Sequence, residues 1–215
     1  MDTHALRRTA GIAAIIGAVL HLVELPLYFV YSGPPPDWNI FIRSLFGLTG
    51  LTILIVFMTG FGTLVKRADP RYDWLATLVT TAGLMWVTVV LVSMGLEVGA
   101  AIQAPEPIDP TIAVSGTYIL YGTISRLLEG LFLVALGFAV LRTRMLPDWV
   151  RRSAFILAGV NFVFVPSLFF GNNPANFYAA NGWGTTATVG GLTMLWLLAI
   201  GVALTKESSL RTTRP

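Results

Sequence analysis

The sequence predicts an all-α integral membrane protein, a single domain of six transmembrane helices packed as a bundle. Of its 215 residues, 55% are hydrophobic and only 12% are charged, whereas soluble domains carry about 25% charged residues. The mean hydropathy is +0.74. The charged residues lie in short clusters between apolar runs of about 20 residues, the length that crosses the hydrocarbon core of a bilayer. These three observations together exclude a water-soluble surface.

Each predicted span is an apolar run bounded by charged or turn-forming residues. The first is too long for the core of a signal peptide and lacks a small-residue cleavage site, which predicts a retained helix. The fifth is the shortest and contains Pro166. Connections rich in proline, glycine and asparagine follow the first, third and fifth spans. The predicted spans cover residues 9–31, 44–65, 74–96, 117–141, 153–170 and 185–205.

The positions of lysine and arginine predict the orientation. Twelve of the 14 cations lie before the first span, after the sixth, or in the connections between spans 2 and 3 and spans 4 and 5. All of these positions fall on one side of the membrane. The opposite connections carry Asp37, Glu106 and Asp109, with no cation except Arg43 at a helix edge. Under the positive-inside rule, both termini are cytoplasmic and the protein is a multi-pass protein of the cell membrane.

The stretch "GFAVLRTRMLPDWVRRSAFILAG" joins the fourth and fifth spans. It has glycine and an aromatic residue near a helix end, a basic turn with Leu-Pro-x-Trp, and then a helix containing Ala-Gly. This pattern, with the number of spans, resembles the bacterial six-helix membrane proteins that carry domain of unknown function 4386. The resemblance covers mainly the fourth and fifth helices. It implies the architecture and no particular activity.

Five ionisable residues fall within the spans or at their outer ends, namely His21, Glu24, Glu97, Arg126 and Glu129. A charge at the centre of a bilayer costs roughly 2.5–3.5 kcal/mol on insertion scales, so such groups are expected to face the bundle interior and to pair. Glu97, at the end of the third span, is instead expected to be solvated.

Depth in the membrane suggests partners for four of these groups. At about 1.5 Å per residue, His21 and Glu129 each lie roughly 20 Å from the arginines at the cytoplasmic end of their helix. Glu24 and Arg126 each lie roughly 24 Å from those arginines. If the first and fourth helices are neighbours, Glu24 meets Arg126 and His21 meets Glu129. Arg43 is expected to extend to the lipid headgroups.

Polar residues in the outer halves of the helices predict a pocket that binds a lipophilic or amphipathic small molecule, such as a lipid. Prolines in the first and fifth spans free backbone carbonyls there, which membranes tolerate beside protein or a water-filled cavity. The candidate ligand-binding residues are Arg126, Tyr28, Tyr118, Asn161 and Trp86, although a tryptophan at the depth of Trp86 more often serves packing than a binding site.

Two other functions are consistent with the same residues. The first is an intramembrane acid–base enzyme, an isomerase or cyclase for an isoprenoid-type substrate, with Glu24, His21 and Glu129 as catalytic residues. A carboxylic acid in apolar surroundings can donate a proton near neutral pH, and a histidine can return it. The second is a non-catalytic membrane scaffold subunit, in which the charged residues form only a structural clasp.

Composition and motifs narrow the classes of chemistry. The absence of cysteine excludes disulfides, thiolate metal sites and iron–sulfur clusters. One intramembrane histidine cannot provide bis-histidine haem ligation, and His-x-x-Glu alone is too short for a zinc site. The sequence contains no phosphate loop or dinucleotide fingerprint and no basic patch with interleaved aromatics. We therefore expect no metal, no cofactor and no nucleic-acid partner, and the oligomeric state stays open.

Overall fold

The computed structural model describes residues 2–212, and this part of the chain is helical, with no β-strand. Six helices are long and apolar enough to cross a membrane, which confirms the predicted fold class. They are α1 (Thr3–Phe29), α2 (Asp37–Ala68), α3 (Pro70–Gln103), α4 (Thr117–Thr143), α5 (Asp148–Phe170) and α6 (Gly184–Lys206). A single helical turn, Pro110–Ala113, lies in the connection between α3 and α4.

Helices α2 and α3 are longer than the apolar runs that predicted them. The α-helical part of each begins with an aspartate, Asp37 in α2 and Asp73 in α3 after the 3₁₀ turn Pro70–Tyr72, where a negative charge is favourable beside free backbone N–H groups. Each also continues beyond its apolar run, α2 through Lys66 to Ala68 and α3 to Gln103. Apolar character locates the membrane-crossing part of a helix, and the polar turns at its ends follow from hydrogen bonding instead.

Two helices change from α-helical to 3₁₀ geometry at prolines near the same end of the bundle. The final turns of α1, Leu25–Phe29, and of α5, Val165–Phe170, are 3₁₀ helices. Pro26 and Pro166 lie at the start of these segments and lack the N–H that a regular α-helical hydrogen bond requires. The change of helix type therefore has a local cause in the sequence.

The helices form a ring with one weak seam. Helix α1 packs along its length against α2 and α6, α2 packs against α3, α3 against α4, and α4 against α5. Helices α5 and α6 touch only sparsely. The α1–α6 contact is close at Gly11 and Gly201, where a Cβ on Gly201 would lie 2.7 Å from the carbonyl oxygen of Gly11. The interior contains large buried side chains, among them Phe57, Phe61, Phe132, Leu133 and Leu136.

We call the end of the bundle that carries the connections 30–36, 104–116 and 171–183 the loop end. The connection 171–183 lies against the helices, because Tyr178 donates to the carbonyl oxygen of Val163. Thr185 donates to the carbonyl oxygen of Ala179 at 2.8 Å. These bonds place a folded segment over the loop end of the bundle.

The opposite end carries the basic residues, and we call it the charged end. Arg151 and Arg152 contact Asp148 at 2.5 and 2.6 Å. The side chain and backbone of Arg71 both donate to Asp69, and these hydrogen bonds hold the pKa of that carboxyl below its usual value. The turns at this end are therefore closed by local ion pairs, which contribute little to stability because they are exposed.

Candidate functional site

A cavity of about 790 Å³ lies inside the ring and reaches the loop end. This volume falls within the range of about 300–1,000 Å³ that is typical of small-molecule sites. Helices α1, α2, α3, α4 and α6 and all three loop-end connections contribute to its wall. Most of the wall is apolar, with Leu51, Trp86, Val90, Met94 and Met194 among the lining residues.

On α1, three polar side chains stack one turn apart along the cavity. The phenol of Tyr28 donates to Oε1 of Glu24 at 3.1 Å. Nε2 of His21 lies 3.8 Å from Oε2 of Glu24, beyond hydrogen-bond length. Nδ1 of His21 lies 3.2 Å from the carbonyl oxygen of Gly17, and since a carbonyl only accepts, this nitrogen carries the proton. The other ring nitrogen, Nε2, therefore faces Glu24.

Helix α2 makes room for these polar groups with two glycines. A Cβ on Gly50 would lie 2.6 Å from Nδ1 of His21, and a Cβ on Gly47 would lie 2.5 Å from Oε2 of Glu24. Any larger residue at either position would overlap the polar side chain. His21 and Glu24 thus face α2 and the cavity, and their side chains are only 14% and 7% exposed.

Arg43 and Glu97 were predicted to contact lipid headgroups and water, and both predictions are wrong. Arg43 is 3% exposed and its guanidinium lies 4.1 Å from the ring centre of Tyr28. Glu97 is 5% exposed. Both residues lie more than a turn inside their helices, because α2 and α3 extend past the apolar runs. Tyr28 contacts both Arg43 and Glu24, and Glu97 lines the same cavity, so these groups share its wall.

Arg126 and Glu129 form a cluster on α4. Nη2 of Arg126 lies 3.0 Å from Oε2 of Glu129, and both side chains are buried. Asn161 of α5 donates to Oε1 of Glu129 at 3.1 Å. Thr193 of α6 donates to the same oxygen. Glu129 therefore ties three helices together and bridges the weak α5–α6 seam.

The two predicted pairs, Glu24 with Arg126 and His21 with Glu129, are not formed. Helices α1 and α4 do not pack against each other in the described residues. Two side chains must lie at equal depth in the membrane to pair, but equal depth does not determine which helices are neighbours. Each acid instead finds partners on its own helix, Tyr28 in one case and Arg126 in the other.

The candidate site residues fall into two groups. The cavity wall contains His21, Glu24, Tyr28, Trp86 and Arg126. Trp86 also packs inward, with its ring stacked 6.0 Å from that of Phe132. The residues lining the cavity do not include Tyr118, Asn161 and Glu129. Asn161 and Glu129 are fully buried in the contact between helices, where they serve the cluster on α4.

Sequence reasoning missed Arg43, Glu97, Tyr121 and Asn181 as members of the cavity wall. For Arg43 there was a usable signal, because "RSLFGL" at this position repeats the pattern of "RLLEGL" at Arg126. Both arginines line the cavity. Asn181 had no such signal, since its place follows from the fold of the connection 171–183.

Buried polar atoms without a hydrogen-bond partner in the protein concentrate on this wall. Such atoms are rare in folded proteins, because leaving one unpaired costs about 1–3 kcal/mol. The wall atoms concerned are Oε2 of Glu24, Nε and Nη2 of Arg43, Oε1 of Glu97, Nε and Nη1 of Arg126, and both side-chain polar atoms of Asn181. No group of three histidine, aspartate or glutamate side chains suited to a metal ion occurs within residues 2–212.

The fold and its apolar surface define a multi-pass membrane protein. No protein-family model matches the chain, and neither a curated protein nor a solved structure is similar enough to match. The resemblance of the fourth and fifth helices to a bacterial family therefore stays a prediction. Function has to be inferred from the cavity itself.

Proposed function

We propose that this protein binds a lipophilic or amphipathic small molecule in the cavity between its helices. One observation carries the proposal: a mostly apolar cavity of about 790 Å³ is bordered by buried charged side chains, each with at least one polar atom that lacks a hydrogen-bond partner in the protein. Ligand sites commonly combine an apolar wall with a few converging polar groups that orient the bound molecule.

The two parts of the wall suit the two parts of an amphipathic molecule. Trp86, Val90 and Met94 offer apolar surface to a hydrocarbon body. Arg43 and Arg126 offer free N–H groups, and Glu24 offers a free carboxylate oxygen, to a polar head. A hydrocarbon-only ligand would leave these groups unpaired, which makes an amphipathic molecule the better fit.

The test is a cavity-filling variant with a matched control. Gly190 lines the cavity and a Cβ there would meet no atom within 4 Å, so Gly190→Leu places a side chain in the cavity without displacing the backbone. Gly159 on α5 is equally unobstructed but lies outside the cavity wall, so Gly159→Leu is the control. We expect mass spectrometry of purified protein to detect a co-purifying amphiphile in the wild type and in Gly159→Leu, and to find it lost from Gly190→Leu. Equal occupancy in all three proteins, or none in the wild type, would contradict the proposal.

A second candidate function is an intramembrane acid–base enzyme acting on an isoprenoid-type substrate. The observation in its favour is that Glu24 and His21 lie side by side on the cavity wall, with an acidic oxygen 3.8 Å from a ring nitrogen. In an assay of isoprenoid isomerisation or cyclisation in membranes, Glu24→Gln would abolish turnover, whereas replacing the exposed Glu106 by Gln would leave turnover unchanged. Absence of turnover by the wild type would remove this candidate.

We further propose that the protein resides in the cell membrane with the charged end, and hence both termini, in the cytoplasm. The excess of lysine and arginine at that end supports this orientation. Because the chain has no cysteine, single cysteines report topology without background. A membrane-impermeant thiol reagent added to intact cells is expected to label Glu106→Cys and not Arg142→Cys. The reverse pattern would overturn the orientation.

A further inference from the structure

We infer that the polar head of the bound molecule is a protonated amine, so that the cavity selects cationic amphiphiles. This inference rests on the proposed binding function and narrows its ligand class. It follows from the balance of charges on the wall, from the acceptor atoms left free there, and from the aromatic rings around them.

Carboxyl groups outnumber guanidinium groups on the cavity wall. Glu24, Glu97 and Asp109 contribute carboxyl groups, and Arg43 and Arg126 contribute guanidinium groups. The charge of Arg126 is already balanced by Glu129, which lies 3.0 Å away behind the wall. Three carboxyl groups therefore remain beside one guanidinium, Arg43, and the imidazole of His21, whose Nε2 lies 3.8 Å from Oε2 of Glu24.

Arg43 alone cannot balance both of the buried acids on this wall. Glu24 and Glu97 are each only 5% exposed, and among the described residues neither has a lysine or arginine nitrogen within ion-pair distance. Asp109 is partly satisfied by its own turn, because it accepts from the backbone and hydroxyl of Thr111 at 3.0 and 2.7 Å. Glu97, which also lacks a nearby histidine, is thus stabilised by a further positive charge or a proton, since an unpaired buried carboxylate is costly.

The free atoms of these glutamates are hydrogen-bond acceptors. Oε2 of Glu24 and Oε1 of Glu97 are buried and have no hydrogen-bond partner in the protein. A primary ammonium group supplies up to three donors and a positive charge at once. Tyr121 and Trp183 also line the cavity and present rings that attract cations.

The experiment uses the full-length protein in nanodiscs of phosphatidylcholine and three probes that differ only in their head group. Each probe is a dansyl-tagged dodecyl chain that ends in a primary ammonium, a hydroxyl or a carboxylate group. Energy transfer from the tryptophans, two of which line the cavity, reports binding. Signal from empty nanodiscs and from Gly190→Leu nanodiscs is subtracted, so that partitioning into lipid is removed.

We expect the ammonium probe to bind saturably and about tenfold more tightly than the hydroxyl probe, with the carboxylate probe weakest. In Glu97→Gln the ammonium probe should lose this advantage while the hydroxyl probe binds as before, and the exposed control Glu106→Gln should keep the wild-type order. The ranking in the wild type needs no variant, so a folding defect in Glu97→Gln does not spoil the test. Saturable binding in which the hydroxyl or carboxylate probe is equal or tighter overturns the inference and leaves the proposed function standing. Absence of saturable binding by all three probes overturns both.

Discussion

Replacing Glu129 by glutamine should destabilise the protein strongly, although the change is nearly isosteric. Glu129 is fully buried; it accepts hydrogen bonds from Asn161 and Thr193, and its Oε2 lies 3.0 Å from Arg126 in an ion pair. A glutamine keeps one carbonyl oxygen for the two neutral donors. Among the described residues it removes the only carboxylate paired with Arg126, a residue that is 4% exposed.

The expected magnitude follows from the pair. Removing one partner of a buried ion pair costs about 3–5 kcal/mol, because the other charge stays buried without compensation. Arg126 borders the cavity, where polar surroundings reduce this cost, so we expect about 3 kcal/mol for Glu129→Gln. Arg126→Met should cost less, about 1–2 kcal/mol, because the remaining carboxylate keeps its hydrogen bonds from Asn161 and Thr193.

The double variant separates an ion pair from two independent effects. When both charges are removed no orphan charge is left, so Arg126→Met with Glu129→Gln should lose at least about 1 kcal/mol less than the sum of the single losses. The free energy of unfolding is measured by titration with dodecyl sulfate in mixed micelles, with tryptophan fluorescence as the signal. The exposed residue Glu106 provides the matched control Glu106→Gln. A loss in Glu129→Gln no larger than in this control, or additive losses in the double variant, would refute the reasoning.

Two further predictions concern helix packing. Gly47→Ala should cost about 1–3 kcal/mol of unfolding free energy, because the new Cβ would lie 2.5 Å from Oε2 of Glu24. The control is Gly95→Ala, which should cost nothing because a Cβ there meets no atom within 4 Å. Equal losses in the two variants would contradict the assigned contact between Gly47 and Glu24. Trp196→Phe should cost about 1 kcal/mol because it removes the 2.8 Å hydrogen bond from the indole N–H to Ser153 across the α5–α6 seam. The same denaturation assay measures it, and Ser153→Ala should then add no further loss.

The membrane architecture could be predicted from the sequence because hydrocarbon imposes one strong rule: a spanning segment must be apolar and helical. Six apolar runs therefore gave six helices in the right places. The same rule does not predict how far a helix continues through polar turns beyond its apolar run. Arg43 and Glu97 were assigned to the boundary for that reason, and both lie inside the bundle.

The site could be predicted only in part, because its chemistry depends on which helices touch. The sequence identified His21, Glu24 and Arg126 as buried and polar, and all three line the cavity. The predicted pairs between α1 and α4 rested only on equal depth in the membrane. The close approach of α1 to α2 depends on glycines whose significance appears only when the opposing side chains are placed, as with Gly47 and Glu24.

The ring order of the helices has a consequence for biosynthesis. Helix α1 flanks α6, which the ribosome makes after the other five, and Thr193 of α6 is one of the donors to Glu129. Until that segment enters the bilayer, α1 lacks one flank and the acid on α4 lacks a donor. The packing of α1 and the hydrogen bonds of Glu129 are therefore complete only after the last helix has entered the membrane.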